Sequence, residues 1–338
     1  MRDSRSSAGR TAAAPLGPGP EFDLIRGFLA GGSAVRADVR VGPGDDCAVV
    51  AGDGIALSTD MSVEGIHFRR DWLSAEEIGW RAAAAALSDL AAVAARPVGI
   101  LVSIAVPADE VATLAPALMS GCREAVEAVG GALLGGDLTR SPGPLVIDVT
   151  VVGEAPRPVL RSGARLGDEV WVTGLLGGAA AYVQAMLAGQ APRRGARERF
   201  ARPRPRLREA RWLADRVGPT AMIDLSDGLA GDAAHLAAAS GLALLLVPEL
   251  LPVHPAARTR SRPRTVHAAL TGGEDYELCI TAPAGAVAPH AEAFHAAFGL
   301  PLTCVGRTGG GDGVWWVDAE GHRTPVNAGG YQHFREGP

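Results

Sequence analysis

Acidic residues beside glycine recur along this chain, and the densest example lies between Ala221 and Ala230, Ala-Met-Ile-Asp-Leu-Ser-Asp-Gly-Leu-Ala. Its first residues form an apolar run that predicts a buried strand, and a helix is predicted from Gly228 onward. Asp224 and Asp227 fall at the turn between these elements. Two carboxylates so close repel each other unless a cation or a proton lies between them, so the stretch is a candidate for divalent-metal and phosphate chemistry. A helix cap is the alternative, because Ser and Asp are preferred capping residues.

Two more acidic segments lie near the start of the chain. In the first, a Gly-Pro-Gly turn delivers Asp45 and Asp46 to the head of an apolar strand. In the second, a strand predicted over Ile55 to Leu57 leads directly into Ser58-Thr59-Asp60. Three consecutive oxygen-bearing side chains suit a hard cation such as Mg²⁺, although a polar strand end would have the same composition.

Three further acidic residues stand in other settings. Asp89 interrupts an alanine-rich helix predicted over Glu76 to Ala95, where a carboxylate is costly unless it is paired or bound to metal. A Gly-Gly pair before Asp137 predicts a turn after a short strand, and the bare backbone there could approach a phosphate. A second Gly-Gly turn presents Glu274 at the start of a strand. Most of these acids therefore lie where strands are predicted to end, which is where open α/β architectures bind ligands.

The elements that must position these acids fill a chain of 338 residues, long enough for two domains. High proline and glycine content just after residue 155 marks the predicted boundary. We expect a tail over residues 1–20, an N-terminal domain over 21–155 and a C-terminal domain over 156–334. A short amphipathic helix is predicted over Glu21 to Ala30, at the start of the first domain.

Composition excludes several mechanisms. All 32 basic residues are Arg, so the chain has no lysine for a Schiff base or for a Gly-Lys-Ser/Thr phosphate loop. Phosphate must be bound by Arg, backbone amides and metal. The net charge of −5 gives no reason to expect nucleic acid as a partner. The arginine-rich segment from Ala191 to Arg208 lacks interleaved aromatics, and we interpret it as a solvated linker.

Membrane and disulfide chemistry are also not expected. No apolar run reaches the roughly 18 residues that a membrane span requires. The four cysteines form no Cys-x-x-Cys pair, which favours small buried thiols in a reducing compartment, and a cytoplasmic location is predicted. His67 stands beside apolar residues, and by itself it would more simply be a structural hydrogen-bonding group.

So many carboxylates cannot bind a phosphate directly, because like charges repel. They can bind it through two or more Mg²⁺ ions, which neutralise a triphosphate and bridge its oxygens. The alternative of acid–base chemistry on a sugar needs two carboxyl groups and leaves the others unexplained.

Nine motifs together carry a resemblance to a known family. In chain order they are Gly-Asp-Asp-Cys-Ala, Ser-Thr-Asp, Glu-Gly-x-His-Phe, Leu-Ser-Asp-Leu-Ala-Ala, Gly-Gly-Asp, Arg-Ser-Gly-Ala, Asp-Leu-Ser-Asp-Gly-Leu, Gly-Gly-Glu-Asp-Tyr-Glu-Leu and Gly-Tyr-x-His-Phe. The chain resembles the thiamine-monophosphate kinase family, within the superfamily of aminoimidazole ribonucleotide synthetase-like ATP-binding proteins. The resemblance covers Phe22 to Phe334. It departs from the family pattern at Met61 and Leu138, where threonine is common.

The resemblance implies an α/β (α+β) fold of two domains, with ATP bound at the domain and subunit junction of a homodimer. The N-terminal domain would bind ATP and metal and form the dimer. The implied ligands of several Mg²⁺ ions are Asp46, Ser58, Thr59, Asp60, Asp89, Asp137, Asp224 and Asp227. The implied ATP contacts are Gly136, Asp137, Arg161 and Ser226, and the implied substrate contacts are His67, Glu274 and Tyr331. Catalysis would depend chiefly on Asp60, Asp137 and Asp227.

The implied reaction is direct transfer of the γ-phosphoryl group of ATP to thiamine monophosphate. A phosphate acceptor is already nucleophilic at neutral pH, so catalysis reduces to holding two anions against their repulsion. The alternatives are another ATP-dependent synthetase of the same superfamily and a maturation protein that binds ATP without kinase activity. The complete acid set argues against the second alternative, and the lack of a cysteine before Cys47 argues against a selenide enzyme.

Overall fold

The computed structural model describes residues 39–41, 45–50 and 54–326. The predicted tail, the predicted helix over Glu21 to Ala30 and the predicted substrate residue Tyr331 lie outside these ranges. Within them the chain forms two sheets and eight helices, which confirms the predicted α/β class. The two sheets fall on either side of residue 155, and the division into two domains stays a prediction.

The first sheet has six strands and lies in the N-terminal half of the chain. Its strands are β1 (Val39–Val41), β2 (Ala48–Val50), β3 (Ile55–Val63), β4 (Arg96–Pro107), β5 (Ala132–Ser141) and β6 (Val146–Glu154). They lie side by side in the order β1-β2-β3-β6-β4-β5. All neighbours are antiparallel except β4 and β5.

Helices α1 (Ala75–Ala92) and α2 (Val111–Ala128) pack together against one face of this sheet. Ser74 precedes the alanine-rich helix and is its predicted N-cap, which the structure confirms: Ser74 Oγ accepts a hydrogen bond from the Glu77 amide, and the Glu77 carboxylate accepts one from the Ser74 amide. Glycine lets the two helices approach closely, because a β-carbon at Gly79 would lie 2.0 Å from the carbonyl oxygen of Leu118.

The other face of the first sheet carries exposed apolar side chains. Strand register aligns Met61, Asp148, Ser103 and Asp137 in one row across four strands. Directly opposed residues share a face of a sheet, so these four residues lie on the same side. Met61 is 55% exposed and Leu101, in the same face, is 41% exposed.

The second sheet has seven strands. They are β7 (Glu169–Thr173), β8 (Ala221–Asp224), β9 (Ala243–Leu246), β10 (Leu278–Ala282), β11 (Leu302–Gly309), β12 (Val314–Val317) and β13 (Arg323–Pro325), in the order β13-β12-β9-β11-β7-β10-β8. The remaining helices are α3 (Gly178–Leu187), α4 (Ala196–Ala201), α5 (Leu207–Arg216), α6 (Leu229–Ser240), α7 (Arg262–Thr271) and α8 (Ala291–Phe298).

Side chains from both faces of the second sheet are buried. Val172, Ile223 and Cys279 pack in one hydrophobic cluster with residues of α6 and α7. Met222 and Ile280 point to the opposite face and pack in the cluster that contains residues of α1, α5 and α8.

Helix α1 lies between the two sheets. It contacts β3 and β6 of the first sheet and β8 of the second. Its alanine side chains allow this close contact on both sides, and Ala83, Ala84 and Ala86 are completely buried. Polar residues on α1 can therefore reach both sheets at once.

Two expectations about strand ends are wrong. Ser58, Thr59 and Asp60 lie in the middle of β3, which pairs with β6 along all nine of its residues. The Gly-Gly pair before Asp137 is not a turn but part of the edge strand β5. Glycine is needed there because a β-carbon at Gly136, where φ is +156°, would lie 1.8 Å from the carbonyl oxygen of Val102.

Two expectations about connections are also wrong. The segment from Ala191 to Arg208 is not a solvated linker, because it contains α4 and buries Phe200 and Arg206. The glycine-rich stretch between β11 and β12 is of a composition that predicts a hairpin, but it does not form one, because β9 lies between these strands. The tertiary fold overrides local composition at both places.

The cysteines are as the sequence predicts. The thiols of all four cysteines are free, and those of Cys47, Cys122 and Cys279 are buried. No helix in residues 54–326 has the length and apolarity needed to span a membrane.

Candidate functional site

Three carboxylates from distant parts of the chain meet at the C-terminal end of α1. Carboxylate oxygens of Asp46, Asp89 and Asp224 all lie within 4.8 Å of one another. Asp46 precedes β2, Asp89 belongs to α1, and Asp224 ends β8. The burial of α1 between the two sheets is what brings these residues together. We call them the acid cluster.

Two serines orient the acid cluster. Ser58 Oγ of β3 donates a hydrogen bond of 2.5 Å to Asp89 Oδ2. Ser88 Oγ of α1 donates one of 2.6 Å to Asp224 Oδ2, and Ser88 is completely buried. These hydrogen bonds join α1 to both sheets at the cluster.

Arg161 compensates part of the negative charge. Its Nε and Nη2 atoms donate to the two carboxylate oxygens of Asp46, at 2.6 and 2.8 Å, and its backbone amide donates to Asp45 Oδ2. A bidentate guanidinium–carboxylate pair is among the strongest polar contacts in proteins. Arg161 therefore lies in the acid cluster, as expected for a phosphate-binding residue at a metal site.

The remaining charge of the cluster is poorly compensated. Burial and the negative charge of Asp46 raise the pKa of Asp224 to about 8. Burial, Asp224 and Asp46 raise the pKa of Asp89 well above its usual value. Carboxylates that resist ionisation because of burial and mutual repulsion bind a divalent cation readily, since the cation removes both penalties. The donor set fits Mg²⁺, which prefers carboxylate oxygens.

Three further acids extend the cluster along both sheets. Asp60 in β3 is close enough to contribute to the raised pKa of Asp89. The backbone amide of Asp227 donates to Asp232 Oδ2 at 3.2 Å. Asp232 is only 3% exposed, and burial together with the charge of Asp227 raises its pKa. Asp232 thus fixes the turn that carries Asp227.

The predicted substrate residue Glu274 lies near the N-terminal half of α1. Its carboxylate forms an ion pair with Arg81 of that helix and accepts a hydrogen bond of 3.2 Å from Tyr276 Oη. Its backbone amide donates to the carbonyl oxygen of Ser226 at 2.7 Å. The Ser226 backbone therefore connects the Glu274 loop directly to the turn between Asp224 and Asp227.

His67 follows the strand that carries Asp60. Its Nδ1 accepts a hydrogen bond of 3.0 Å from the Val63 amide, so in the neutral ring the proton resides on Nε2. This hydrogen bond fixes the ring at the end of β3.

The structure does not bring Thr59 and Asp137 into the acid cluster. Thr59 Oγ1 donates to Asp148 Oδ1 at 3.0 Å, on the exposed face of the first sheet, and Asp137 lies in the same face. Ser58 and Asp60 alternate with Thr59 along β3 and point to the face that α1 covers. Asp137 is also three strands away from β3, a distance of about 14 Å at the usual strand spacing.

An apolar groove of about 700 Å³ lies beside Asp137, between α2 and the edge of the first sheet. Val102, Ile104, Met119 and Leu138 line it together with Gly136 and Asp137. The predicted ATP contacts in β5 therefore border a groove large enough for a nucleoside.

Sequence reasoning missed Arg81, Ser88 and Asp232. Arg81 and Asp232 carry the signal that identified Asp89, namely a charged residue inside an alanine-rich helix. The same rule applied to each helix would have found both. Ser88 has no such signal, because its role depends on Asp224, a residue 136 positions away.

The chain is similar to several known proteins over most of its length. The family model described as AIR synthase related protein, N-terminal domain, matches residues 44–155. Thiamine-monophosphate kinase of Rhodopirellula baltica is 35% identical over 303 residues, 85% of this chain and 89% of that protein. The enzyme of the same name from Escherichia coli K12 is 34% identical over 330 residues, 93% of this chain and 98% of that protein. The solved structure of AaThiL complexed with AMPPCP and TMP matches with a TM-score of 0.77 at 30% identity, over 93% of this chain and 96% of that chain.

Proposed function

This chain belongs to the thiamine-monophosphate kinase family, and we propose that it transfers the γ-phosphoryl group of ATP directly to the phosphate of thiamine monophosphate. The products are thiamine diphosphate and ADP. The observation that carries the proposal is the acid cluster, in which Asp46, Asp89 and Asp224 meet between the two sheets. A related structure complexed with AMPPCP and TMP supports the choice of both substrates.

Several Mg²⁺ ions are part of the proposal. The residues that would hold them are Asp46, Ser58, Thr59, Asp60, Asp89, Asp137, Asp224 and Asp227. Bound there, Mg²⁺ would neutralise the phosphates and lower the repulsion between the two anionic substrates. The raised pKa of Asp224, to about 8, supports a cation at this position.

The side chains of the protein then serve to position the two substrates. The acceptor phosphate is already nucleophilic at neutral pH, so no side chain has to remove a proton from it. Arg161, which is held in the cluster by Asp46, supplies a guanidinium for the phosphates of ATP. Glu274 and His67 would hold thiamine monophosphate together with Tyr331. Ser226 would contact ATP next to this acceptor site, because its backbone carbonyl oxygen accepts a hydrogen bond from the Glu274 amide.

A homodimer would explain the separation of Asp137 from the acid cluster. The exposed apolar face of the first sheet carries Asp137 and Thr59, and burying Met61 and Leu101 against a second copy would be favourable. ATP bound in the groove beside Asp137 of one subunit could then reach the acid cluster of the other. We propose a cytoplasmic location as well, which is consistent with the free cysteines.

The activity is tested by incubating purified full-length protein with Mg²⁺, ATP and thiamine monophosphate and separating thiamine diphosphate by chromatography. Stoichiometric ADP and thiamine diphosphate are expected, with no product when Mg²⁺ is omitted. A folded protein that makes no thiamine diphosphate would contradict the proposal.

The shared site has a separate test. The variants Asp137→Asn and Asp224→Asn should each be inactive, and a heterodimer of the two, purified through two different tags, is the informative species. If each site takes Asp137 from one subunit and Asp224 from the other, one of the two sites is intact and about half of the wild-type activity is expected. An inactive heterodimer would mean that both acids serve a site within one chain.

A further inference from the structure

Arg81 is a buried guanidinium for which neither the motifs nor the proposed reaction accounts. Its side chain is 5% exposed and lies in the first half of α1. It forms an ion pair with Glu274, donates a hydrogen bond of 2.9 Å to the carbonyl oxygen of Phe200, and lies 4.0 Å from the centre of the Phe200 ring. Burial lowers the pKa of this guanidinium, so its position costs free energy that these contacts must offset.

The ion pair is exposed to solvent on one side only. The Glu274 side chain is 29% exposed, whereas that of Arg81 is 5% exposed. A ligand can therefore reach the carboxylate of Glu274 while the guanidinium stays behind it. This arrangement is typical of a residue that orients a ligand-binding group and does not itself bind the ligand.

Glu274 needs such support because its backbone is strained. Its φ is +71° and that of Tyr276 is +49°, values that residues with a side chain rarely adopt. The backbone amides of both residues are tied to the turn after β8, through the carbonyl oxygens of Ser226 and Leu225. These hydrogen bonds fix the backbone of the loop, and Arg81 fixes the side chain.

The loop is anchored a second time by the arginine-rich segment that was expected to be a linker. Arg206 and Arg199 bind the fully buried carboxylate of Glu277, at 2.6 and 2.8 Å. Phe200 of the same segment packs against Arg81. The segment thereby joins α1 to the Glu274 loop, and Arg81 lies at the junction.

We propose that Arg81 is a positioning residue for the acceptor site, which holds the Glu274 carboxylate in the orientation that binds thiamine monophosphate. The inference rests on the proposed function. A carboxylate held in this way suits the hydrogen-bond donors and the cationic ring of a thiamine phosphate. Arg81 lies seven residues from Ser88, about 10 Å along the helix, and the carboxylate with which it forms an ion pair is that of Glu274.

The test compares two variants of the full-length protein. Arg81→Met keeps most of the aliphatic stem and removes the charge, and Arg81→Lys keeps the charge and removes the planar fork. For Arg81→Met we expect the KM for thiamine monophosphate to rise about tenfold or more, with the KM for ATP and the Mg²⁺ dependence unchanged. Arg81→Lys should lie between this variant and the wild type. A merely structural role would change the melting temperature without separating the two KM values.

Arg262→Met is the matched control, because Arg262 pairs with Glu249 on the surface, with side chains 67% and 57% exposed. It should leave both KM values unchanged. A folded Arg81→Met with a wild-type KM for thiamine monophosphate, or with an equal rise in the KM for ATP, would overturn the inference. If Arg81→Met does not fold, Arg81→Lys decides between the same outcomes.

Failure of the proposed function can be told apart from failure of this inference. If the wild type makes no thiamine diphosphate, the proposed function fails, and calorimetric binding of thiamine monophosphate to wild type and Arg81→Lys then decides the role of Arg81. Weaker binding by the variant supports the inference, whereas equal binding, or no binding by either protein, contradicts it.

Discussion

Two groups of carboxylates lie along α1, and the protein neutralises them differently. At the C-terminal end of the helix, the three acids of the cluster share one hydrogen-bonded guanidinium, Arg161, within the described part of the chain. Near its N-terminal half, Glu274 and Glu277 are paired with three guanidinium groups, those of Arg81, Arg199 and Arg206. Both groups therefore lie along the same helix.

The pKa values follow this difference. Burial disfavours the charged form of Glu277, but Arg206 and Arg199 outweigh it and lower the pKa of that carboxyl group. The pKa of Asp224 is instead raised to about 8, by burial and by Asp46. A buried carboxylate that arginine neutralises is a structural part of the protein, whereas one left without compensation is a site for an external cation. The comparison therefore separates the residues that position the site from those that bind metal.

The largest expected effect is on activity at the uncompensated group. Asp224→Asn removes a metal-binding charge next to the transferring phosphoryl group, and kcat should fall by about 10⁴-fold. Stability without Mg²⁺ should be equal or higher, because the variant relieves repulsion from Asp46 and Asp89. Steady-state kinetics and urea denaturation check both results.

Asp318→Asn is the control for Asp224→Asn. Asp318 belongs to another group of possible metal ligands, with Glu320 and His322, but all three of these residues are exposed. Its loss should not affect kcat. If Asp224→Asn kept a tenth of the wild-type kcat, the acid cluster would not be the metal site.

Loss of a carboxylate from the arginine-compensated group should lower stability and largely spare activity, which is the opposite of the result expected for Asp224→Asn. Glu277→Gln removes the buried carboxylate that pairs with both Arg199 and Arg206 and leaves Arg206 with Glu209 alone, so the free energy of unfolding should fall by about 4 kcal/mol. At a temperature where the variant is folded, its kcat should stay within about tenfold of the wild type. Denaturation and kinetics on the same sample give both numbers, and Glu249→Gln, on the surface, is the control. A fall in kcat as large as that of Asp224→Asn would remove the distinction between the two groups.

Much of the fold was predictable because the local patterns are strong. The helix predicted over Glu76 to Ala95 is α1, Ala75–Ala92, and its serine cap is where the sequence places it. The strand ends were less predictable, because polar residues such as Thr59 are tolerated inside β3 when one face of the sheet is uncovered. If one face of a sheet packs against no core, a pattern of alternating burial cannot show where a strand ends.

The site was predictable only in part, because its charges come from distant segments. Spacing alone marked Asp89 and Asp224 as candidates, but their meeting depends on the position of α1 between the two sheets. Composition alone predicts that Arg199 and Arg206 are solvated, because a run of charged residues usually is. Their partner Glu277 lies 71 residues beyond Arg206, and no local pattern connects the two.

Mg²⁺ itself should distinguish the two groups. A cation that binds the folded acid cluster stabilises the protein, by about 2.7 kcal/mol at a concentration one hundred times its dissociation constant. We expect Mg²⁺ without nucleotide to raise the melting temperature of the wild type and of Glu277→Gln, but not that of Asp224→Asn. Differential scanning fluorimetry over a Mg²⁺ series is the measurement. An equal shift in Asp224→Asn would place the stabilising ion elsewhere.

The smallest effect is expected for Asp275, to which the rule drawn from Glu277 does not extend. Asp275 lies among the arginines, but they do not neutralise its carboxylate. Arg199 donates to its backbone carbonyl oxygen, and its carboxylate Oδ2 accepts from the Gly177 amide, while Oδ1 has no hydrogen-bond partner in the described residues. Burial raises the pKa of this carboxyl group from 3.8 to about 7. The folded state therefore binds a proton more tightly than the unfolded state between these two values, and stability must fall as the pH rises from 4 to 7. Asp275→Asn cannot ionise, so relative to this variant the wild type should lose about 2 kcal/mol between pH 5 and pH 7, and the difference should level off about one pH unit above 7. Urea denaturation of both proteins at a series of pH values measures the difference, and parallel stability curves would show that Asp275 is compensated like Glu277.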